Sequence, residues 1–150
     1  MQSACGKLPE KIYLVKNRRN GGGELVLSES RTELGKIAIG QEVIATLAGA
    51  AAMECFGLVG MASRRISDGF VELLGRENWS RGVEIKLEGD RVFITLHIIV
   101  CYGVRISEVA RNVMERVKYA VEEVTGLRVE RVDVYVQGVQ VDMARAGGQK

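Results

Sequence analysis

The clearest pattern along the chain lies between residues 83 and 102. In V-E-I-K-L apolar and charged positions alternate, so Val83, Ile85 and Leu87 face one way on a strand. E-G-D reads as a turn, and R-V-F-I-T-L-H-I-I-V-C-Y as the return strand. On that strand Val92, Ile94, Leu96, Ile98, Val100 and Tyr102 share one face, and Phe93, Thr95, His97, Ile99 and Cys101 share the other. Its second half is apolar on both faces, which predicts a strand covered twice or one that meets another molecule.

Helical spacing appears twice. Ile44, Leu47, Ala48, Ala51, Ala52 and Cys55 fall on the apolar stripe of an amphipathic helix, with Glu42 in its first turn and Gly57 placed to stop it. Gly49 within it predicts a close approach by a neighbour, since a glycine there costs about 1 kcal/mol against alanine. A second helix is predicted from an N-cap at Ser107, with Glu108 in its first turn, to about Thr125, ended by Gly126. Its predicted buried stripe is Ala110, Val113, Met114, Val117, Val121 and Val124. Shorter elements are strands near 24–30, 35–39 and 58–62 and a short helix from Ser67 to Gly75. In the last strand Leu127 and Val129 alternate in one phase and Val132, Val134 and Val136 in the other, which predicts a bulge near Glu130-Arg131.

These elements predict an α+β fold, a two-layer sandwich with two main helices packed on one face of a mixed, mostly antiparallel sheet, in the order β-α-β-short α-β-β-α-β. One domain over 24–141 follows, with a flexible basic leader at 1–23 and a frayed tail at 142–150.

Charge refines the picture. The chain of 150 residues has a formal net charge of +2, too small to predict nucleic-acid binding. Residues 1–23 alone hold Lys7, Lys11, Lys16, Arg18 and Arg19 against Glu10, so the remainder is slightly acidic. Three widely spaced cysteines, Cys5, Cys55 and Cys101, match neither a disulfide framework nor a zinc pattern. A reducing cytoplasmic compartment is expected, with no spanning helix and no signal-peptide core.

No reactive constellation is legible. His97, the only histidine, shares a strand face with Cys101, but four residues of strand separate them by about 13 Å, too far for one metal or a thiol–imidazole pair. No catalytic residue, cofactor or metal is therefore expected. G-L-V-G at 57–60, followed by Arg64 and Arg65, matches the outline of a GxxG nucleic-acid clamp, but Leu and Val suit a helix stop and a strand better. Trp79 stands in a polar loop as a candidate docking anchor. The candidate interaction surface comprises Phe93, His97, Ile99 and Cys101, the stretch Val134–Val141 including Val134 and Val136, and Trp79, with a homo-oligomer contact expected on one of the first two.

Several runs resemble the bacterial alkaline-shock, envelope-stress-response family, and within it the YloU-like branch: T-E-L-G-K-I-A-I, V-I-A-T-L-A-G-A-A-A-M-E-C-F-G-L-V-G-M-A-S-R, G-F-V-E-L-L-G-R-E-N, I-I-V-C-Y-G-V-R-I-S-E-V-A-R-N-V and V-Y-V-Q-G-V-Q-V. Together they span residues 32–141. The resemblance implies a small, non-enzymatic cytoplasmic protein of envelope stress or homeostasis that self-associates or meets a membrane-anchored protein partner. It also implies, as an alternative, a regulatory or ligand-handling role beside a dihydroxyacetone-kinase-like fatty-acid kinase. Cys101 departs from the pattern, which has an acidic residue before Tyr-Gly, and the basic leader is not a feature of the family.

Overall fold

A computed structural model describes residues 12–13, 18–19, 25–63, 76–88 and 91–141. The short helix expected at 67–75, Arg64, Arg65, the turn residues 89–90 and the tail lie outside the described residues. The fold is α+β, with two α-helices among the described residues on a mixed, mostly antiparallel sheet.

The main sheet is built around β7 (Arg91–Cys101). β6 (Val83–Glu88) pairs with it antiparallel as the expected hairpin, from Val83 opposite Leu96 to Glu88 opposite Arg91. β5 (Leu58–Met61) is also antiparallel to β7, but farther along, opposite Ile98–Val100. The other edge of β7 is taken by β8 (Arg128–Gln140), parallel to it over its whole length. β5 and β6 therefore sit in tandem on one edge. Where they meet, Gly82 comes so close that an added Cβ would lie 2.7 Å from the Ala62 carbonyl oxygen.

A parallel pair needs a crossover. Here it is α2 (Ile106–Thr125), which leaves β7 through Gly103, at φ +89°, and enters β8 through a left-handed cap at Gly126, whose N–H donates to the Glu122 carbonyl at 2.9 Å. The helix starts earlier than its sequence predicts. Arg105, not Ser107, is the N-cap, and it makes no side-chain capping bond. The glycine turn directly after β7 brings Val109 down onto the core within the first turn. The buried ridge is Val109, Val113, Val117 and Val121 at an even four-residue step. Met114 lies to one side of it and is exposed; Val124 is in phase but sits in the last turn, also exposed.

α1 (Gln41–Met53) buries Ile44, Ala45, Ala48, Gly49, Ala51 and Ala52. It ends at Met53, before Cys55, and Gly57 at φ +88° turns the chain into β5 instead of capping the helix. A Cβ on Gly57 would lie 2.8 Å from the Val109 methyl of α2. Gly49 shows the expected close approach: its missing Cβ would stand 3.0 Å from that of Trp79, in the 3-10 segment Arg76–Gly82. The helices and the inner face of β7 enclose the core, in which Val92, Ile94, Leu96, Ile98 and Val100 are fully buried.

β3 (Leu25–Thr32) and β4 (Gly35–Gly40) form a hairpin in a second sheet, with β4 leading straight into α1. The short strands β1 (Ile12–Tyr13) and β2 (Arg18–Arg19) pair with β3, so strand pairing begins within the stretch that reads as a leader. Most of β4 is exposed, as is Leu34 in its turn, so this hairpin stands out from the core instead of extending the main sheet.

Candidate docking surfaces

The strand register sorts the residues of the outer sheet face into rows. Lys86, Phe93 and Arg131 lie abreast, then Glu84, Thr95 and Asp133, then His97 beside Tyr135. Two bulges in β8 keep this order: Glu130 is the expected one, and Gln137 is a second that was not expected, although the three-residue step from Val136 to Val139 marks it. The rows enclose a shallow basin of about 510 Å³.

Its side chains largely satisfy one another. Arg131 stacks over the Phe93 ring at 5.6 Å and donates to Asp133 at 2.9 Å. The His97 ring lies against Tyr135, centroids 5.5 Å apart and 16° from parallel. Gln137 sits 2.8 Å from His97 Nδ1. With the amide donating, Nδ1 accepts and the ring proton is on Nε2. That nitrogen is buried and faces Glu84 Oε1 at 3.5 Å, too far for a normal hydrogen bond. Histidine and carboxylate thus come from adjacent strands, with no thiol beside them. Among the described residues no three His, Cys, Asp or Glu side chains gather as metal ligands would.

The structure divides the residues singled out in the sequence. Phe93 and His97 line the basin. Ile99 is only 7% exposed, opposite Gly60 on one side and Gly138 on the other, so it offers no docking area. Val134, Val136 and Trp79 are partly buried against the core. Cys101, at the end of β7, belongs to a different surface.

That second surface is the end of the sheet where β7 and β8 finish and α2 begins. Cys101 donates its N–H to the Gly57 carbonyl at 2.9 Å, and Tyr102 donates to the Gln140 carbonyl at 3.0 Å. These bonds draw the α1–β5 turn and the end of β8 around one cavity of about 450 Å³, walled by Cys55, Phe56, Leu58, Val59, Cys101 and Val104 among others. Phe56 protrudes beside it, 89% exposed, and Tyr102 is 70% exposed. A second recess, also lined by Phe56, runs between the turn after α1 and α2, past Glu54, Glu115, Arg116 and Tyr119. Arg116 is ion-paired with Glu54 there.

Cys55 thus lines both recesses. Burial pushes its thiol above the ordinary value of 9.0, Arg116 pulls against that, and Glu54 adds to it. Its Sγ contacts the Ala51 carbonyl at 3.8 Å. Sequence reasoning missed Phe56 because it sits just past the apolar stripe of α1. The available signal was its place before a turn glycine, where a large side chain is carried outward.

The class defined so far is a two-layer α+β domain with a polar basin on its open sheet face and an apolar, protruding end. The chain belongs to the alkaline shock protein 23 family, of cell envelope-related function, whose profile matches residues 29–141. It is 54% identical to the protein YloU of Bacillus subtilis (strain 168) over 114 residues, 75% of this chain and 95% of that one. A Streptococcus pyogenes serotype M6 relative, Spy1614, is 43% identical over 111 residues, 73% of this chain and 92% of its own length. YqhY of Bacillus subtilis is 33% identical over 118 residues, 79% of this chain and 87% of that protein. Among solved structures, a MamM CTD chain aligns with 66% of this chain and 96% of its own at 17% identity, with a TM-score of 0.41, a likeness too slight to argue from.

Proposed function

We propose that the protein is a non-catalytic adaptor or scaffold of the bacterial cytoplasm, serving the cell-envelope stress response or envelope homeostasis by docking to itself and to an envelope-associated protein. The observation that carries this reading is the apolar end of the sheet, where Phe56, 89% exposed, walls a cavity, and Tyr102, next in the chain after the cavity's Cys101, is 70% exposed. Exposed aromatic side chains beside a recess are common anchors of protein contacts. Family membership gives the envelope setting. No described helix is long and apolar enough to cross a membrane, so contact with the envelope is assigned to a protein partner.

A nucleic-acid role through the GxxG outline is less well supported. Leu58–Met61 is a strand paired to β7, not an open loop between helices. A ligand-handling role beside a kinase-like protein would use the same cavity and would show as a small molecule co-purifying with the chain.

The reading is tested in the native cell by cross-linking a tagged full-length chain and identifying what it holds. Wild type is expected to recover a membrane-anchored protein, and Tyr102→Asp to lose it. Recovery of the same partner by both chains would sink the assignment of docking to this end.

A further inference from the structure

β7 is the middle strand of the main sheet, and β8 takes its far side alone. Strand alternation decides which backbone groups of β8 are spent on β7. The His97 carbonyl accepts from Ala62 and the Cys101 N–H donates to Gly57, so the odd-numbered residues of β7 serve its β5 and β6 side. The even-numbered ones serve β8, and Tyr102 continues the pattern by donating to the Gln140 carbonyl. In a parallel ladder the β8 residues that turn inward are then those opposite odd-numbered partners. Tyr135, opposite His97, and Gln140, opposite Cys101, turn in; Val134, Val136 and Val139 turn their N–H and C=O groups away from β7. Among the described residues no strand pairs with that side.

Exposed strand edges are normally guarded, and the rest of this sheet guards its own. On the opposite side β5 is only four residues long, β6 alternates through Glu84, Lys86 and Glu88, and the Gln41 side-chain amide donates to the Ile85 carbonyl at 3.0 Å. The first half of β8 carries Arg128, Glu130, Arg131 and Asp133, and the Val129 N–H donates to the Glu122 carboxylate of α2 at 3.0 Å. From Val134 to Val141 the run is V-Y-V-Q-G-V-Q-V, without a charge or a proline, and of these devices only the bulge at Gln137 remains.

We propose that this edge takes up an extended, uncharged segment of a partner protein as an added strand, a mode of docking that rests on the reading above for its premise of a partner but does not use the apolar end. A polypeptide backbone offers donors and acceptors at the matching repeat, about 6.7 Å for every two residues. The phosphate oxygens of a nucleic acid or a lipid headgroup only accept, and would leave the outward carbonyls unmet. Charge sets the composition of the segment. The charged side chains of the first half of β8 are already paired, Arg131 with Asp133 at 2.9 Å and Glu130 with Arg91 at 3.7 Å. A charge laid against Val134–Val141 would find no opposite charge on that run and lose its water. An apolar side chain on the segment's outer face would lie beside Tyr135, which is 55% exposed.

The test begins with amide hydrogen exchange on the dilute full-length chain. The amides of Val134, Val136 and Val139 are expected to exchange fast and those of Tyr135 and Gln140 slowly. Slow exchange at the three valines would mean that the chain already covers its own edge, and would overturn the proposal. Slowing that follows protein concentration alone would do the same, by giving the edge to a second copy. The probe is a phage-displayed library of random twelve-residue peptides, selected on the full-length chain, with the recovered peptides synthesised. They are expected to be uncharged over their middle and to slow exchange at the three valines. N-methylation of alternate residues along one peptide edge should abolish binding, and N-methylation of the residues between should leave it. Val139→Pro removes an N–H that β7 does not use and should weaken binding about tenfold. Val139→Thr keeps that N–H and should stay within about twofold of wild type. A library that yields no binder, binding indifferent to N-methylation on either edge, or equal losses in the two Val139 variants would each defeat the added strand; the N-methyl arm needs only the wild-type chain. Tyr102→Asp should leave peptide binding unchanged, and its loss would move the peptide to the apolar end. Cross-linking in cells through Tyr102 is a separate readout, so failure of the peptide arms leaves docking at the apolar end standing, and failure there leaves this edge standing.

Discussion

Gly57 and Gly103 have nearly the same backbone conformation, at φ +88° and +89°, but different surroundings: a Cβ on Gly57 would press on Val109 at 2.8 Å and on Val104 at 3.3 Å, whereas one on Gly103 would meet nothing within 4 Å. Alanine at either site carries the left-handed penalty, about 1 kcal/mol. Only alanine at Gly57 also forces α2 away from the turn that carries Phe56, adding about 1–3 kcal/mol. Urea unfolding of the two variants should therefore differ by that increment, and equal losses would show that the close approach does not matter. The thiol between the two recesses gives a second expectation. Burial is the largest influence on Cys55 and holds its proton to higher pH, with Arg116 opposing. Its alkylation rate should rise with a midpoint above 9.0, higher still in Arg116→Gln and lower in Glu54→Gln. The sign for stability follows from the same shift. The folded thiol holds its proton longer than the unfolded one, so its contribution is complete below pH 9 and declines as pH rises beyond that.

At the level of elements, what could be read in advance was whatever one segment decides alone. The β6–β7 hairpin follows from alternation, the left-handed stop at Gly126 from a glycine after an amphipathic run, and the bulge at Glu130 from a phase slip among valines. Elements whose place depends on a distant neighbour were not legible. Nothing in V-E-R-V-D-V-Y-V requires β8 to lie parallel to β7, and nothing in L-V-G-M requires β5 to share an edge with β6. For α2 three of the six expected positions, Val113, Val117 and Val121, are buried, and Val109 joins them in place of the rest. The stripe that includes Met114 is wider than the surface actually covered, and the single ridge from Val109 to Val121 carries the contact. Truncation should report this. Val117→Ala, at a fully buried site, is expected to cost about 1–2 kcal/mol, and Met114→Ala or Val124→Ala less than about 0.5 kcal/mol. Comparable losses at Val117 and Met114, measured by chemical denaturation, would restore the wider stripe. The candidate site follows the same division. His97 and Phe93 were visible as one strand face, but their partners Tyr135, Gln137 and Arg131 come from β8, and the meeting of Cys55 with Cys101 depends on the α1 turn reaching the end of β7.

For the molecule as a whole, the distribution of charge separates two modes of association that a simple binding assay would confuse. The full chain carries +2, yet the five basic groups before residue 20 outweigh that total, so without them the protein would be net acidic. Any affinity for a polyanion should then reside in the first segment, while the apolar end associates through burial and hardly responds to salt. Deleting the segment would confound the comparison, because β1 and β2 pair with β3. Replacing Lys7, Lys11, Lys16, Arg18 and Arg19 with glutamine removes the charge and leaves every backbone donor and acceptor in place. In that variant, retention on single-stranded RNA or heparin should vanish and the steep dependence on salt with it, while the self-association constant stays within about twofold of wild type. The opposite pattern, with RNA retention intact and self-association lost, would mean that the domain itself recognises phosphate and that the basic segment holds the copies together. An exposed phenylalanine beside a cavity would then be incidental, and the case for an apolar docking end would fail at the scale where it has to hold.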